Sequence, residues 1–227
     1  MYLPAHFEES RPAVLQLLLR AHPLGQLVSL DAEGLPVANP IPFLYDADRG
    51  PLGTLVGHVA RANPVWRDAV SGGAAGQSVL VLFQGPDGYV SPNGYAAKRE
   101  HGKVVPTWNY ATVQARGPLR VLDDAAATRA LDDAAATRAL VTRLTAVHES
   151  AQPRPWAVSD APDDYIASML RAIVCIEIEL SALVGKYKLS QNRSATDQAG
   201  VVAGLRAGGV PSQQALADWM AAPDAAA

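Results

Sequence analysis

The sequence predicts a mainly β, α+β fold: an antiparallel barrel with helices packed outside it. Strand-like segments outnumber helical ones in the first half, without the regular strand–helix–strand alternation of a doubly wound sheet. Hydrophobic residues make up 49% and charged residues 18% of 227, enough apolar material for a sizeable core and too much for disorder along most of the length. Residues 1–227 are expected to form a single domain with peripheral helices, including a helical C-terminal extension over 194–220.

Ser10 is suited to cap a helix with Pro12 at its second position and an apolar stripe of Val14, Leu15, Leu18 and Leu19. The run His22-Pro23-Leu24-Gly25 stops it. A strand over 27–30, a turn over 31–34 and a returning strand over 35–45 follow. Pro36, Pro40 and Pro42 cannot donate to a ladder, so the returning strand is expected to be irregular or to lie at an edge. Another strand covers 52–59, and Asn63 then caps a short helix with Pro64 at its first position and Trp66 on it. Residues 79–83 read as a buried strand, Gly85-Pro86-Asp87-Gly88 as a turn, 104–116 as a long strand, and 119–122 as its continuation. Helices are expected over 123–148 and 162–170, with an alternating strand over 173–180 that puts Val174, Ile176, Ile178 and Leu180 on one face and Glu177 and Glu179 on the other. Ser194 with Asp197 forms a capping-box pattern opening a helix to about residue 206, and 212–220 gives one more short helix before a frayed end.

Residues 122–130 read LDDAAATRA, and 131–139 repeat them without a change. A helical turn takes about 3.6 residues, so the two copies face opposite sides, and one copy is expected to extend into solvent without a functional role. Two copies of nine cannot stack into a solenoid.

The net charge of −3 and the lack of a dense Lys/Arg cluster weigh against a surface that grips nucleic acid by phosphate neutralisation. The single cysteine, Cys175, excludes an intramolecular disulfide and reads as a small buried apolar residue. The first ten residues carry Glu8 and Glu9 and no apolar h-region, and no apolar run is long enough to span a bilayer. A cytoplasmic protein is expected. No phosphate-binding loop, dinucleotide fingerprint, zinc-protease motif or nucleophile elbow is present, the five histidines have no metal-ligand spacing, and the glycine-rich run 72–76 reads as a flexible loop.

Two segments carry more chemistry than a scaffold requires. Gly57-His58-Val59-Ala60-Arg61-Ala62-Asn63-Pro64-Val65-Trp66 joins a strand end to a helix start, where backbone N–H groups with His58 and Arg61 suit an anion such as a phosphate monoester. On spacing alone the plainer reading is favoured, with Asn63 only a cap and Arg61 a solvated surface residue, because caps are common. Gly185 to Arg193 packs three cations and several small polar donors into a loop after a buried strand, which also suits a helix-leading polar turn. Between them lies Pro106-Thr107-Trp108-Asn109-Tyr110, whose Trp108 and Tyr110 share one strand face and serve either core packing or stacking on a ligand ring.

Met1-Tyr2-Leu3-Pro4 with Phe7, His22-Pro23-Leu24-Gly25, Gly57 to Pro64, Val90-Ser91-Pro92, Val105 to Tyr110 and Lys188 to Arg193 occur in the order in which the PaiB family carries them. The chain resembles that family of FMN-binding negative transcriptional regulators over nearly its whole length. The resemblance implies an FMN-binding split antiparallel β-barrel of the pyridoxamine-phosphate-oxidase-like kind, working as a homodimer with flavin between protomers. It places His58, Val59, Ala60 and Arg61 at the FMN phosphate, with Asn63 at the same corner. Asn39 to Phe43 would border the ring edge through their backbone. Thr107, Trp108 and Asn109, with Lys188, Ser190, Gln191 and Arg193, would close the site from the second subunit. The chain departs from the family at Asn93-Gly94, before Tyr95, which puts a flavin-facing role of Tyr95 in doubt. The same barrel also hosts FMN-dependent oxidoreductases, for which His101, Tyr95 or Tyr110 would be candidate proton donors. No helix-turn-helix or basic recognition helix accompanies the resemblance, so direct contact with DNA has no visible element.

Overall fold

The computed structural model describes residues 1–71, 76–122 and 130–221. The expected loop over 72–75, the start of the long helix over 123–129 with most of the first LDDAAATRA copy, and the frayed end over 222–227 lie outside the described residues. The chain forms two compact units: residues 1–22, 82–114 and 183–227 make one, and 23–81 and 115–182 the other.

In the first unit, β1 (Glu8–Glu9) pairs antiparallel with β9 (Ala182–Lys188), Glu8 opposite Lys186 and Glu9 opposite Gly185. The other neighbour of β9 is β7 (Thr107–Val121). The helices of this unit are α1 (Pro12–Ala21), α3 (Ala97–Glu100), α6 (Ala195–Ala207) and α7 (Pro211–Ala221). Val14, Leu15, Leu18 and Leu19 of α1 are buried, as their spacing requires. The cap falls one residue later than expected: Arg11 is the N-cap and Pro12 the first helical residue, while the side chain of Glu9, not that of Ser10, accepts from the Arg11 N–H at 2.9 Å.

In the second unit the strand order is β3 (Pro36–Pro42), β2 (Leu24–Leu30), β6 (Gln77–Val90), β7, β8 (Ile173–Glu179), β5 (Thr54–Ala60) and β4 (Leu44–Asp46). The proline-rich β3 lies at an edge of the order, as residues without an N–H favour, and the segment divides after it: β3 ends at Pro42, the Phe43 N–H donates to Pro23 O at 2.9 Å, and Leu44 resumes at the opposite edge. The helices of this unit are α2 (Val65–Ser71), α4 (Ala130–Glu149) and α5 (Asp163–Arg171). The second LDDAAATRA copy lies in α4, whose Leu140 and Leu144 close an apolar cluster with Leu44, Val56 and Cys175.

Two expectations fail for packing reasons. Gly85 to Gly88 is no turn but part of the fourteen-residue β6; a Cβ on Gly85 would stand 3.1 Å from Leu18 Cδ1 and 3.3 Å from Ala111 Cβ, so the glycine serves close approach. The two strands expected over 104–116 and 119–122 are the single β7, which begins at Thr107. Glu177 keeps to the face opposite Ile176, and that face is buried as well. With α4 and α5 against it, β8 is buried on both faces, and Glu177 is held by Arg49 at 2.6 Å.

Candidate functional site

In the first unit, β7 and the end of β9 bring most of one predicted set together. Asn109 is fully buried on the inner face of β7, while Trp108 beside it is half exposed, its Nε1 donating to Asp87 Oδ1 at 3.1 Å. The Asn109 amide nitrogen donates to Ser190 Oγ at 2.9 Å and approaches Met220 Sδ at 3.5 Å. Its Oδ1 is buried without a hydrogen-bond partner. Lys188 Nζ donates to Thr107 Oγ1 and, at 2.5 Å, to the carbonyl of Trp108.

The chain reverses sharply after Lys188. Ser190 adopts φ 66°, the only positive φ outside glycine among the described residues, which marks a conformation held against local strain. Gln191 sustains the turn by accepting from Leu189 N at 2.7 Å and donating to Tyr187 O at 2.5 Å. The expected loop over 186–193 is therefore half strand, since β9 runs to Lys188, and only Leu189 to Arg193 turn toward α6. Ser194 caps α6 through the Asp197 N–H at 3.2 Å, but Asp197 does not complete the box; its Oδ1 takes the Ala97 N–H at 3.1 Å.

Three cations converge here. Burial lowers the Lys188 pKa from its ordinary 10.5, and the positive charges of Lys186 and Arg193 add to the effect. Lys186 is buried, with Nζ donating to Tyr2 O at 3.0 Å between the rings of Tyr2 and Tyr110, 5.5 and 5.6 Å away. The Arg193 guanidinium lies 5.0 Å from the centre of the Tyr95 ring. None of the three forms an ion pair among the described residues. Such a surplus of partly buried positive charge is costly alone and is relieved by an anion.

The second predicted set lies in the other unit, at the end of β5. His58 is half-buried, its Nδ1 is without a partner, and burial lowers its pKa from the ordinary 6.5. Val59 is buried and Ala60 exposed. Arg61 Nε and Nη2 donate to the carbonyls of Arg171 and Ile173 at 2.8 and 2.9 Å, which ties the strand end to the α5–β8 junction. Asn63 is a cap, accepting from Val65 N at 3.0 Å, and its amide donates to Asn39 Oδ1 at 2.9 Å. With one N–H already capped, the seven-residue α2 offers an anion less than the sequence suggests. A cavity of about 470 Å³ beside Asn39 and Asn63 is rimmed by Asp31, Glu33 and Asp68, a sign that suits cations better than phosphate.

The structure thus gathers Thr107, Trp108, Asn109, Lys188, Ser190, Gln191 and Arg193 in one cluster, and Asn39, His58, Val59, Ala60, Arg61 and Asn63 in another. The contribution of Met220 had no sequence signal beyond an apolar helix end, and Tyr95, considered from the sequence as a flavin-facing residue or proton donor, instead stands under the Arg193 guanidinium.

A family model described as "Putative FMN-binding domain" matches residues 1–182. An uncharacterized protein of Emericella nidulans is 34% identical over 96% of this chain and 95% of its own length. The protease synthase and sporulation protein PAI 2 of Bacillus subtilis is 28% identical over 97% of this chain and 96% of its own. Among solved structures, an FAD and haem binding protein from Mycobacterium smegmatis has a TM-score of 0.54 at 19% identity, covering 85% of this chain and 78% of that one. The flavocytochrome Anf3 from Azotobacter vinelandii gives 0.55 at 14%, covering 85% and 75%. The shared fold is the mainly antiparallel split barrel with packed helices that the sequence predicts.

Proposed function

Because the chain belongs to this FMN-binding family, we propose that it holds FMN in a homodimer and acts as a PaiB-type negative regulator of gene expression. The observation that carries the flavin reading is the cluster of Lys186, Lys188 and Arg193 beside the unpartnered Asn109 Oδ1. A group with an anionic tail and a ring bearing N–H and carbonyl functions fits that donor set, since the cations answer the tail and the buried amide oxygen lacks a hydrogen. Lys188 would hold the anion, Ser190 and Thr107 would orient it through their hydroxyls, and Trp108 would cover the ring from the solvent side. His58 to Arg61, with Asn39 and Asn63, are proposed to complete the contacts in the dimer. When bound, the flavin supplies a two-electron redox centre; the chain supplies binding, orientation and exclusion of water.

The regulatory part rests on the family resemblance. With a net charge of −3, we expect it to work through a protein partner rather than by direct grip on DNA.

Purified protein should be yellow, with a flavin absorbance spectrum, and Lys188→Ala/Arg193→Ala should lose the colour while remaining folded by circular dichroism. Colourless wild-type protein that ignores added FMN ends the reading. Bleaching of the bound flavin by reduced nicotinamide, with turnover, would instead mark an oxidoreductase.

A further inference from the structure

We infer that Tyr95 is a positioning residue, its buried ring forming the platform that aims the Arg193 guanidinium at the bound anion. This rests on the flavin reading above and adds to it a residue whose place in the sequence argues against a role at the ligand.

Four observations carry it. Tyr95 is 2% exposed, so its ring is fixed by packing. The Arg193 Cζ lies 5.0 Å from the ring centre, within cation–π range, and Arg193 pairs with no carboxylate among the described residues. The two residues sit on segments that are clasped together: Asp197 Oδ1 accepts from Ala97 N at 3.1 Å, two residues beyond Tyr95, and Gln198 Nε2 donates to Arg193 O at 2.9 Å. Finally, the Tyr95 hydroxyl is buried without a partner, so the hydroxyl does not explain why a tyrosine stands there. The ring face does. A guanidinium stacked on an aromatic keeps its in-plane N–H groups directed outward, toward an incoming phosphate or carboxylate. An arginine in water would have to lose that rotamer freedom on binding.

The test is a double-mutant cycle read by FMN titration, using flavin fluorescence quenching at two salt concentrations. Tyr95→Phe keeps the ring and should bind FMN as the wild type does, with equal or higher thermal stability because an unsatisfied hydroxyl is gone. Tyr95→Leu should weaken FMN binding about five- to tenfold, and Arg193→Ala about tenfold or more. In the Arg193→Ala background, Tyr95→Leu should add nothing, and both single variants should show a shallower salt dependence than the wild type. Equal losses from Tyr95→Leu with and without Arg193, or failure of Tyr95→Phe to preserve affinity, overturn the inference and leave the flavin reading intact. A wild type that does not bind FMN overturns both.

Discussion

A side-chain amide has two donors and an acceptor with two lone pairs to satisfy, and Asn109 meets Ser190 and Met220 through its nitrogen while its oxygen meets nothing. Asn109→Leu removes that stranded acceptor together with the hydrogen bond to Ser190, two changes of opposite sign. The folded protein should therefore stay within about 1–2 kcal/mol of the wild type in urea, while FMN affinity falls about tenfold because the acceptor is lost. Unchanged affinity would show that Oδ1 does not serve the ligand. His58 and His22 make a second residue-scale case. Burial lowers the pKa of both from 6.5, so between that value and the folded pKa the unfolded chain binds protons that the folded chain refuses. Stability is then complete above about pH 6.5 and declines as the pH falls through that window. Thermal melts from about pH 8 to pH 5 should show the decline, and His22→Gln/His58→Gln should flatten it; an undiminished slope in the double variant would assign the effect elsewhere.

Helix propensity and packing make opposite demands at the two glycines of α6. A methyl group added at Gly204 would meet nothing within 4 Å, so Gly204→Ala should stabilise by about 1 kcal/mol through propensity alone. At Gly200 the same methyl would overlap the carbonyl oxygen of Gly94, so Gly200→Ala should destabilise by roughly 1–3 kcal/mol despite the same propensity gain. Paired denaturation curves check both signs. This contrast also shows what can be read from a sequence and what cannot. The stripe of α1 and the cap at Asn63 depend on neighbours in the chain, and both were legible. The strand through Gly85 to Gly88 and the burial of Glu177 depend on Leu18, Ala111, Arg49, α4 and α5, which are distant in sequence and out of reach of local rules. The same holds at the candidate site. Lys188, Ser190 and Arg193 stood out as a polar run, but the turn at Ser190 and the stack on Tyr95 follow from tertiary contacts.

At the scale of the whole molecule, the family model stops at residue 182, before the cations of β9 and the turn to Arg193, while the relatives from Emericella nidulans and Bacillus subtilis match through at least 96% of the chain. Most of the C-terminal residues 183–221 therefore lie within the stretch matched in those relatives, and Trp219, 5.6 Å from the Tyr187 ring, seats α7 beside the site. If the flavin is shared between two protomers, as the resemblance implies, binding and dimerisation are one linked equilibrium, and each must strengthen the other by the same factor. Sedimentation across a dilution series should then show FMN shifting the monomer–dimer balance toward dimer. The apparent FMN affinity should rise with protein concentration until dimer is complete and be constant above it. Arg193→Ala should weaken the FMN-induced shift, because the flavin reading proposed above puts its guanidinium on the bound anion. An FMN affinity that stays constant through the range where the molecular mass changes would place the whole flavin site within one protomer.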